Sequence, residues 1–229
     1  MKRALVALAL ILAAAGATPA ELDSQYVLQR YAVAIETVPV PKAVIFTYTV
    51  SQAGPSNIDQ RHVVYRNGSQ VRDETLAVDG VALVHKIVSF GRREDRYDVS
   101  RIAPKAAAYE LLFLRSLKDG HHVDYQYAAA PLIHGADAVV DRVTIDGLKY
   151  LPKDVRFKTG TQSSSGTAHI AYAQFGKYWM PVLAEVTAVV NGKPARERIA
   201  WSDYRFPDSL PPSTFEPPRP LPHATLPPI

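Results

Sequence analysis

Residues 165–206 read SGTAHIAYAQFGKYWMPVLAEVTAVVNGKPARERIAWSDYRF. Within them Thr167 to Phe175, Val182 to Val190 and Arg196 to Tyr204 are strand-like runs, and Asn191-Gly192 separates the last two. An Asn-Gly pair reaches positive φ at little cost, so it favours the two-residue turn of an antiparallel hairpin. The stretch therefore reads as consecutive antiparallel strands.

The same grammar extends upstream. From Ala43 the hydrophobic period is two, with Val44, Phe46, Tyr48 and Val50 on one face, which describes a half-buried strand. Asn67-Gly68 splits Gln60 to Arg66 from Gln70 to Val78, and Asp79-Gly80 marks the next turn before Leu83 to Phe90. Further strands are expected at His122 to Ala128, Ala138 to Ile145 and Asp154 to Thr161, with Asp146-Gly147 and Ser165-Gly166 as turns. Residues 22–37 have helical apolar spacing at Val27, Tyr31 and Ala34, with Asp23 or Ser24 as N-cap, and Pro39 and Pro41 stop the helix. A second helix is expected over Ala106 to Lys118. There Pro104 precedes a run of good helix formers and Asp119-Gly120 ends it. The expected fold class is mainly β (α+β): one large curved antiparallel sheet with an N-terminal helix and an inserted mid-chain helix on its concave face.

Both ends differ from this body. Met1, Lys2 and Arg3 form a positive start, Ala4 to Ala15 is uncharged and apolar, and Ala15-Gly16-Ala17 supplies a small-x-small pattern. This predicts a cleaved signal peptide over residues 1–17, with Thr18-Pro19-Ala20 as the alternative cleavage site. The apolar run falls short of the roughly 20 residues that span a bilayer, so an exported, soluble, periplasmic product is expected. Nine of the 18 prolines fall in the last 23 residues, so residues 207–229 are expected to be an extended proline-rich tail after a domain spanning 18–206. Cysteine is absent, which excludes disulfides, thiolate metal clusters and a cysteine nucleophile. The formal charge of +4 includes Lys2 and Arg3, and the remainder is too small and scattered for nucleic acid.

No recognised chemistry is encoded. There is no Gly-x-Ser-x-Gly elbow, phosphate loop, dinucleotide fingerprint or metalloprotease motif. His121, His122 and Asp124 could contribute metal ligands, but no third ligand stands at a recognisable spacing. The acidic pairs Glu94/Asp95, Asp137/Asp141 and Glu185/Asp203 match what any solvated sheet carries. The unusual feature is aromatic: 12 tyrosines against 7 phenylalanines, many at alternating strand positions, which suits a cavity that admits a greasy ligand. No enzyme activity, metal or cofactor is expected.

Phe175-Gly176-Lys177-Tyr178-Trp179-Met180-Pro181, the Asn191-Gly192 turn and the exit Trp201-Ser202-Asp203-Tyr204-Arg205-Phe206 resemble the C-terminal hairpin of the bacterial outer-membrane lipoprotein-sorting protein superfamily, the LolA/LolB/RseB-like half-barrels. Leu210-Pro211-Pro212-Ser213-Thr214-Phe215 resembles the segment that follows it in that family. The resemblance implies an unclosed β half-barrel, a helical lid, a cavity for acyl chains and no catalysis. It implies a periplasmic monomeric carrier or binder of lipid or lipidated protein, with an RseB-like envelope-stress regulatory module as the alternative. Lipid or lipoprotein acyl chains are the expected ligand, and an envelope membrane protein is a second class of partner. The expected cavity residues are Phe46, Tyr48, Tyr125, Tyr127, Ile170, Tyr172 and Trp179, with Leu111, Leu112, Leu114 and Leu117 filling it from the lid.

Overall fold

A computed structural model describes residues 22–54, 57–92, 103–105, 107–132, 138–159 and 165–217. The predicted signal peptide, the charge run 93–98 and the tail beyond 217 lie outside the described residues. The chain opens with α1 (Ser24–Thr37) and continues through β1 (Ala43–Ala53), β2 (Ile58–Asn67), β3 (Gln70–Val78) and β4 (Val81–Arg92). After β5 (Tyr109–Asp119) and β6 (His122–Pro131) come β7 (Ala138–Asp146), β8 (Pro152–Thr159), β9 (Ser165–Phe175), β10 (Tyr178–Val190) and β11 (Lys193–Arg205). These eleven strands form one antiparallel sheet in the order β4-β3-β2-β1-β11-β10-β9-β8-β7-β6-β5. Two meanders thus meet at β1/β11. The sheet does not close: its two edges, β4 and β5, are consecutive in the chain but are not paired with each other.

Turn chemistry sets the register as the sequence requires. Asp79 and Gly80 have φ of 50° and 75°, and Asn191 and Gly192 have 52° and 76°, the paired positive angles of a type I′ hairpin turn. The Asp23 Oδ1 accepts hydrogen bonds from the backbone N–H groups of Gln25 (2.9 Å) and Tyr26 (3.0 Å), satisfying two of the first-turn donors of α1.

One predicted element is wrong. Residues 109–119 form an edge strand, not the inserted helix: they pair with β6 from Tyr109↔Pro131 to Asp119↔His122. Asp119-Gly120 belongs to the hairpin turn, with Gly120 at φ 57°, and does not end a helix. The apolar groups that suggested a helix covered all round lie on both faces of an edge strand instead: Leu111 packs on the core, whereas Leu112 and Leu114 are 55% and 46% exposed. Two smaller differences concern the turn at 165 and the tail. Ser165 and Gly166 are strand residues of β9, and a Cβ on Gly166 would stand 2.6 Å from the Phe157 ring. The first part of the tail is held: Pro212–Phe215 forms a 3-10 turn, and Arg72 donates to the Thr214 carbonyl at 2.9 Å.

Candidate functional site

Directly opposed residues of antiparallel strands share a face, so the register can be followed across the sheet. Tyr127 opposes Val143, Val143 opposes Val155, and Val155 opposes Ala168. Across the other half, Ile170 opposes Ala184, Ala184 opposes Ile199, Trp201 opposes Tyr48, and Phe46 opposes Val64. All of these lie on one continuous face, the inner face, and it carries both apolar clusters.

The first cluster spans β6 to β9 and is covered by α1. Val27, Tyr31 and Ile35, at i, i+4 and i+8 of the helix, are at most 2% exposed. They join Tyr125, Tyr127, Val143, Ile145, Ile170 and Tyr172, with Leu111 and Trp179 at the margin. The second cluster lies over β1, β2, β3, β10 and β11 and contains Val44, Phe46, Tyr48, Val64, Ala184, Ile199 and Trp201. Arg66, 2% exposed, sits on the same face opposite Val44 and Val71.

The expected cavity residues therefore divide. Tyr125, Tyr127, Ile170, Tyr172 and Trp179 come together under α1, and Phe46 and Tyr48 sit in the second cluster. The four leucines do not form a lid. Only Leu111 reaches the inner cluster, and Leu117 lies opposite Asp124, off that face. The helix on the inner face is α1, and Ile35, which the sequence reading passed over, is one of its three anchors. Its i+4 spacing from Tyr31 was the available signal.

Tyrosine hydroxyls tie the helix down. The Tyr125 hydroxyl accepts from the Leu22 N–H at 2.6 Å, Tyr127 donates to the Ser24 carbonyl at 2.6 Å, and Tyr31 donates to the Pro104 carbonyl at 3.0 Å. Burial first, then the neighbouring Tyr125 and Asp23, push the Tyr127 hydroxyl up to about 12. Burial raises Tyr31 and Tyr172 as well. The Tyr172 hydroxyl is buried with no hydrogen-bond partner among the described residues.

The second cluster borders a polar group. His62 Nδ1 lies 2.8 Å from Asp73 Oδ1, and its Nε2 lies 3.1 Å from Gln60 Oε1. Tyr48 donates to Asp73 Oδ2 at 2.9 Å and stacks on the imidazole at 4.5 Å. A general base needs a ring nitrogen open to the proton it takes, and both nitrogens of His62 are engaged. The arrangement orients these side chains and presents no nucleophile–base pair.

Four of the acidic candidates are held in pairs, and Glu94, Asp95 and Asp137 lie outside the described residues. Asp124 binds Lys153 Nζ at 2.6 Å, Glu185 pairs with Arg198 at 3.3 Å, and Asp203 accepts from Thr47 and Ser202. Burial would raise Asp141, but hydrogen bonds from Arg156 and Lys158 outweigh it and hold the carboxyl below its usual range. No cluster of three metal-ligating side chains occurs among the described residues. Among the same residues no helix is long and apolar enough to cross a membrane.

No family model and no curated protein sequence matches the chain. Solved structures do. A domain from Vibrio parahaemolyticus assigned as an outer membrane lipoprotein-sorting protein superposes with a TM-score of 0.50 at 16% identity, over 83% of this chain and 94% of that one. A DUF1329 family protein from Desulfovibrio piger gives 0.52 at 10% identity, over 82% and 95%. A LolA superfamily protein from Nitrosomonas europaea gives 0.48 at 12% identity, over 86% and 99%. The open antiparallel sheet of eleven strands, with one helix on its inner face among the described residues, is thus similar in fold to the Vibrio parahaemolyticus domain and the Desulfovibrio piger protein.

Proposed function

We propose that the chain is an exported, monomeric, non-enzymatic carrier or binder of lipid or lipidated protein that takes acyl chains between α1 and the inner face. The observation that supports this above all is that α1 fully buries three side chains, Val27, Tyr31 and Ile35, and packs Leu28 beside them, against an extensive aromatic and aliphatic surface. Each methylene moved from water onto that surface is worth about 0.8 kcal/mol, so an acyl chain and α1 compete for the same apolar area. In this reading α1 is the filler of the empty state. Tyr125, Tyr127, Ile170, Tyr172 and Trp179 would contact the chain, and Phe46 and Tyr48 would extend the contact in the second half of the sheet. The signal over residues 1–17 would deliver the domain 18–206 to the periplasm. Native mass spectrometry of protein purified gently from the periplasm is expected to show a bound lipid. Ligand-free spectra together with no uptake of a fluorescent fatty acid would defeat the proposal.

A second reading is favoured by the sheet edges. Strand β4 ends the sheet and exposes Val84 (93%) and Ile87 (62%), and open strand edges recruit strands of other chains. A regulatory module that adds a partner's strand there would lose its partner on Ile87→Lys and keep it on Tyr172→Ala.

A further inference from the structure

Between the C-terminal half of α1 and the turns that lead into β8 and β10 lies a cleft of about 420 Å³, within the roughly 300–1,000 Å³ of ordinary small-molecule sites. Its apolar surface includes Trp179 and Leu151, which also belong to the cluster under α1, together with the exposed Val33 (52%) and Leu148 (66%). Three cations line it, each over an aromatic ring. The Arg30 guanidinium is 5.3 Å from the Tyr150 centroid, the Lys149 ammonium 6.0 Å from Trp179, and the Lys177 ammonium 5.3 Å from Tyr178. Among the described residues no carboxylate lines the cleft. Among the described residues the carboxylate paired with these cations is Asp146, at 3.4 Å from Lys149.

Exposed aliphatic walls beneath a cationic rim are the complement of a molecule with a hydrocarbon body and an anionic end. We infer that this cleft holds the headgroup end of a single-chain anionic amphiphile. Its carboxylate or phosphate sits among Arg30, Lys149 and Lys177, and its chain runs past Trp179 beneath α1. The inference rests on the acyl-chain reading above and adds to it the charge of the ligand and the end at which it stands.

The test is binding of four probes, each below its micelle concentration at low salt, followed by tryptophan fluorescence and calorimetry: dodecanoate, dodecyl phosphate, dodecanol and inorganic phosphate. Full-length wild type is compared with an Arg30→Gln/Lys149→Gln/Lys177→Gln variant, whose three side chains are exposed, so that folding is retained; circular dichroism checks it. Wild type is expected to bind the two anionic amphiphiles about tenfold tighter than dodecanol, since three partly screened cations each add a little. The variant is expected to lose that preference while holding dodecanol within about twofold. Equal affinity for anion and alcohol in wild type, or a preference that survives in the variant, overturns the headgroup assignment and leaves the acyl-chain reading standing. Inorganic phosphate binding as tightly as dodecyl phosphate would make this a phosphate site and overturn the amphiphile. Binding of none of the amphiphiles overturns both.

Discussion

Replacing Ile35 by alanine separates a helix that merely completes the core from one that competes with a ligand. Ile35 is 2% exposed and packs in the cluster with Val27, Tyr31 and the inner-face tyrosines. Truncating a buried isoleucine to alanine costs about 2–5 kcal/mol, through lost transfer energy and the cavity left behind. Taking about 3 kcal/mol, and about 2–4 °C per kcal/mol for a chain of this size, the melting temperature should fall by about 6–12 °C. If the ligand can enter only when α1 yields the surface, the helix's loss is the ligand's gain. A penalty smaller by about 3 kcal/mol raises apparent affinity by up to about 100-fold, at 1.4 kcal/mol per decade. The assay is displacement of a fluorescent fatty acid, run beside thermal denaturation, with Gln29→Ala on the exposed side of α1 as control. The control should move stability by less than about 0.5 kcal/mol and affinity not at all. An Ile35→Ala protein that loses the expected stability but binds the fatty acid no more tightly than wild type refutes competition between α1 and ligand.

Gly147 packs so closely that a Cβ there would stand 2.1 Å from the Val123 carbonyl and 2.9 Å from the Tyr125 ring. Gly147→Ala should therefore cost about 2–3 kcal/mol by thermal denaturation, whereas Gly91→Ala, whose added methyl meets nothing within 4 Å, should stay within about 0.5 kcal/mol. Burial pushes the Tyr127 hydroxyl up to about 12 in the folded chain, above the ordinary tyrosine value of about 10. A raised phenol favours the neutral form on folding, so its contribution is complete below pH 10 and is lost as pH climbs towards 12. The wild-type stability should drop across that window by about 2 kcal/mol more than that of Tyr127→Phe; parallel curves for the two proteins would exclude the link. For Tyr172→Phe, removing a buried hydroxyl that bonds no described residue should leave stability unchanged or raise it by up to about 1 kcal/mol in chemical denaturation. A loss above about 1 kcal/mol would show that the hydroxyl is hydrogen-bonded after all.

Most of the sheet was legible because its signals are local. Asn191-Gly192 and Asp79-Gly80 each encode a turn by the positive φ they tolerate, and the alternation Val44, Phe46, Tyr48 states which residues share a face. The error at Tyr109–Asp119 arose where the local signals conflict with the global one. Leucine favours a helix weakly, but this segment gains β6 as a hairpin partner through the turn at Gly120, and pairing along a whole strand outweighs a few tenths of a kcal/mol per residue. The site was half legible for a related reason. Alternation placed Tyr125, Tyr127, Ile170 and Tyr172 on shared faces, but it carries no information on which face is inner or which helix covers it. That depends on α1 meeting strands a hundred residues away, as in the bond between Ser24 and Tyr127.

Under the proposed function, α1 rather than a lid elsewhere is the element that would have to move, and the topology says what would move with it. The edge strands β4 and β5 are consecutive in sequence yet lie at opposite ends of the sheet, so the chain passes from one edge to the other between Arg92 and Tyr109. The described part of that passage bears on the helix: Ala103 is 6% exposed within the α1 cluster, and the Pro104 carbonyl accepts the Tyr31 hydroxyl. Helix and passage are thus joined by a buried hydrogen bond and shared apolar contact, and a ligand that lifts Tyr31 breaks both together. Leaving the Pro104 carbonyl without its donor inside the core would cost about 1–3 kcal/mol, so displacement of α1 would favour movement of residues 103–105 with it. The two edges of the half-barrel are linked by the same segment. Under the proposed function, a ligand that displaces α1 would thereby act on residues that stand between the two strand edges in the chain.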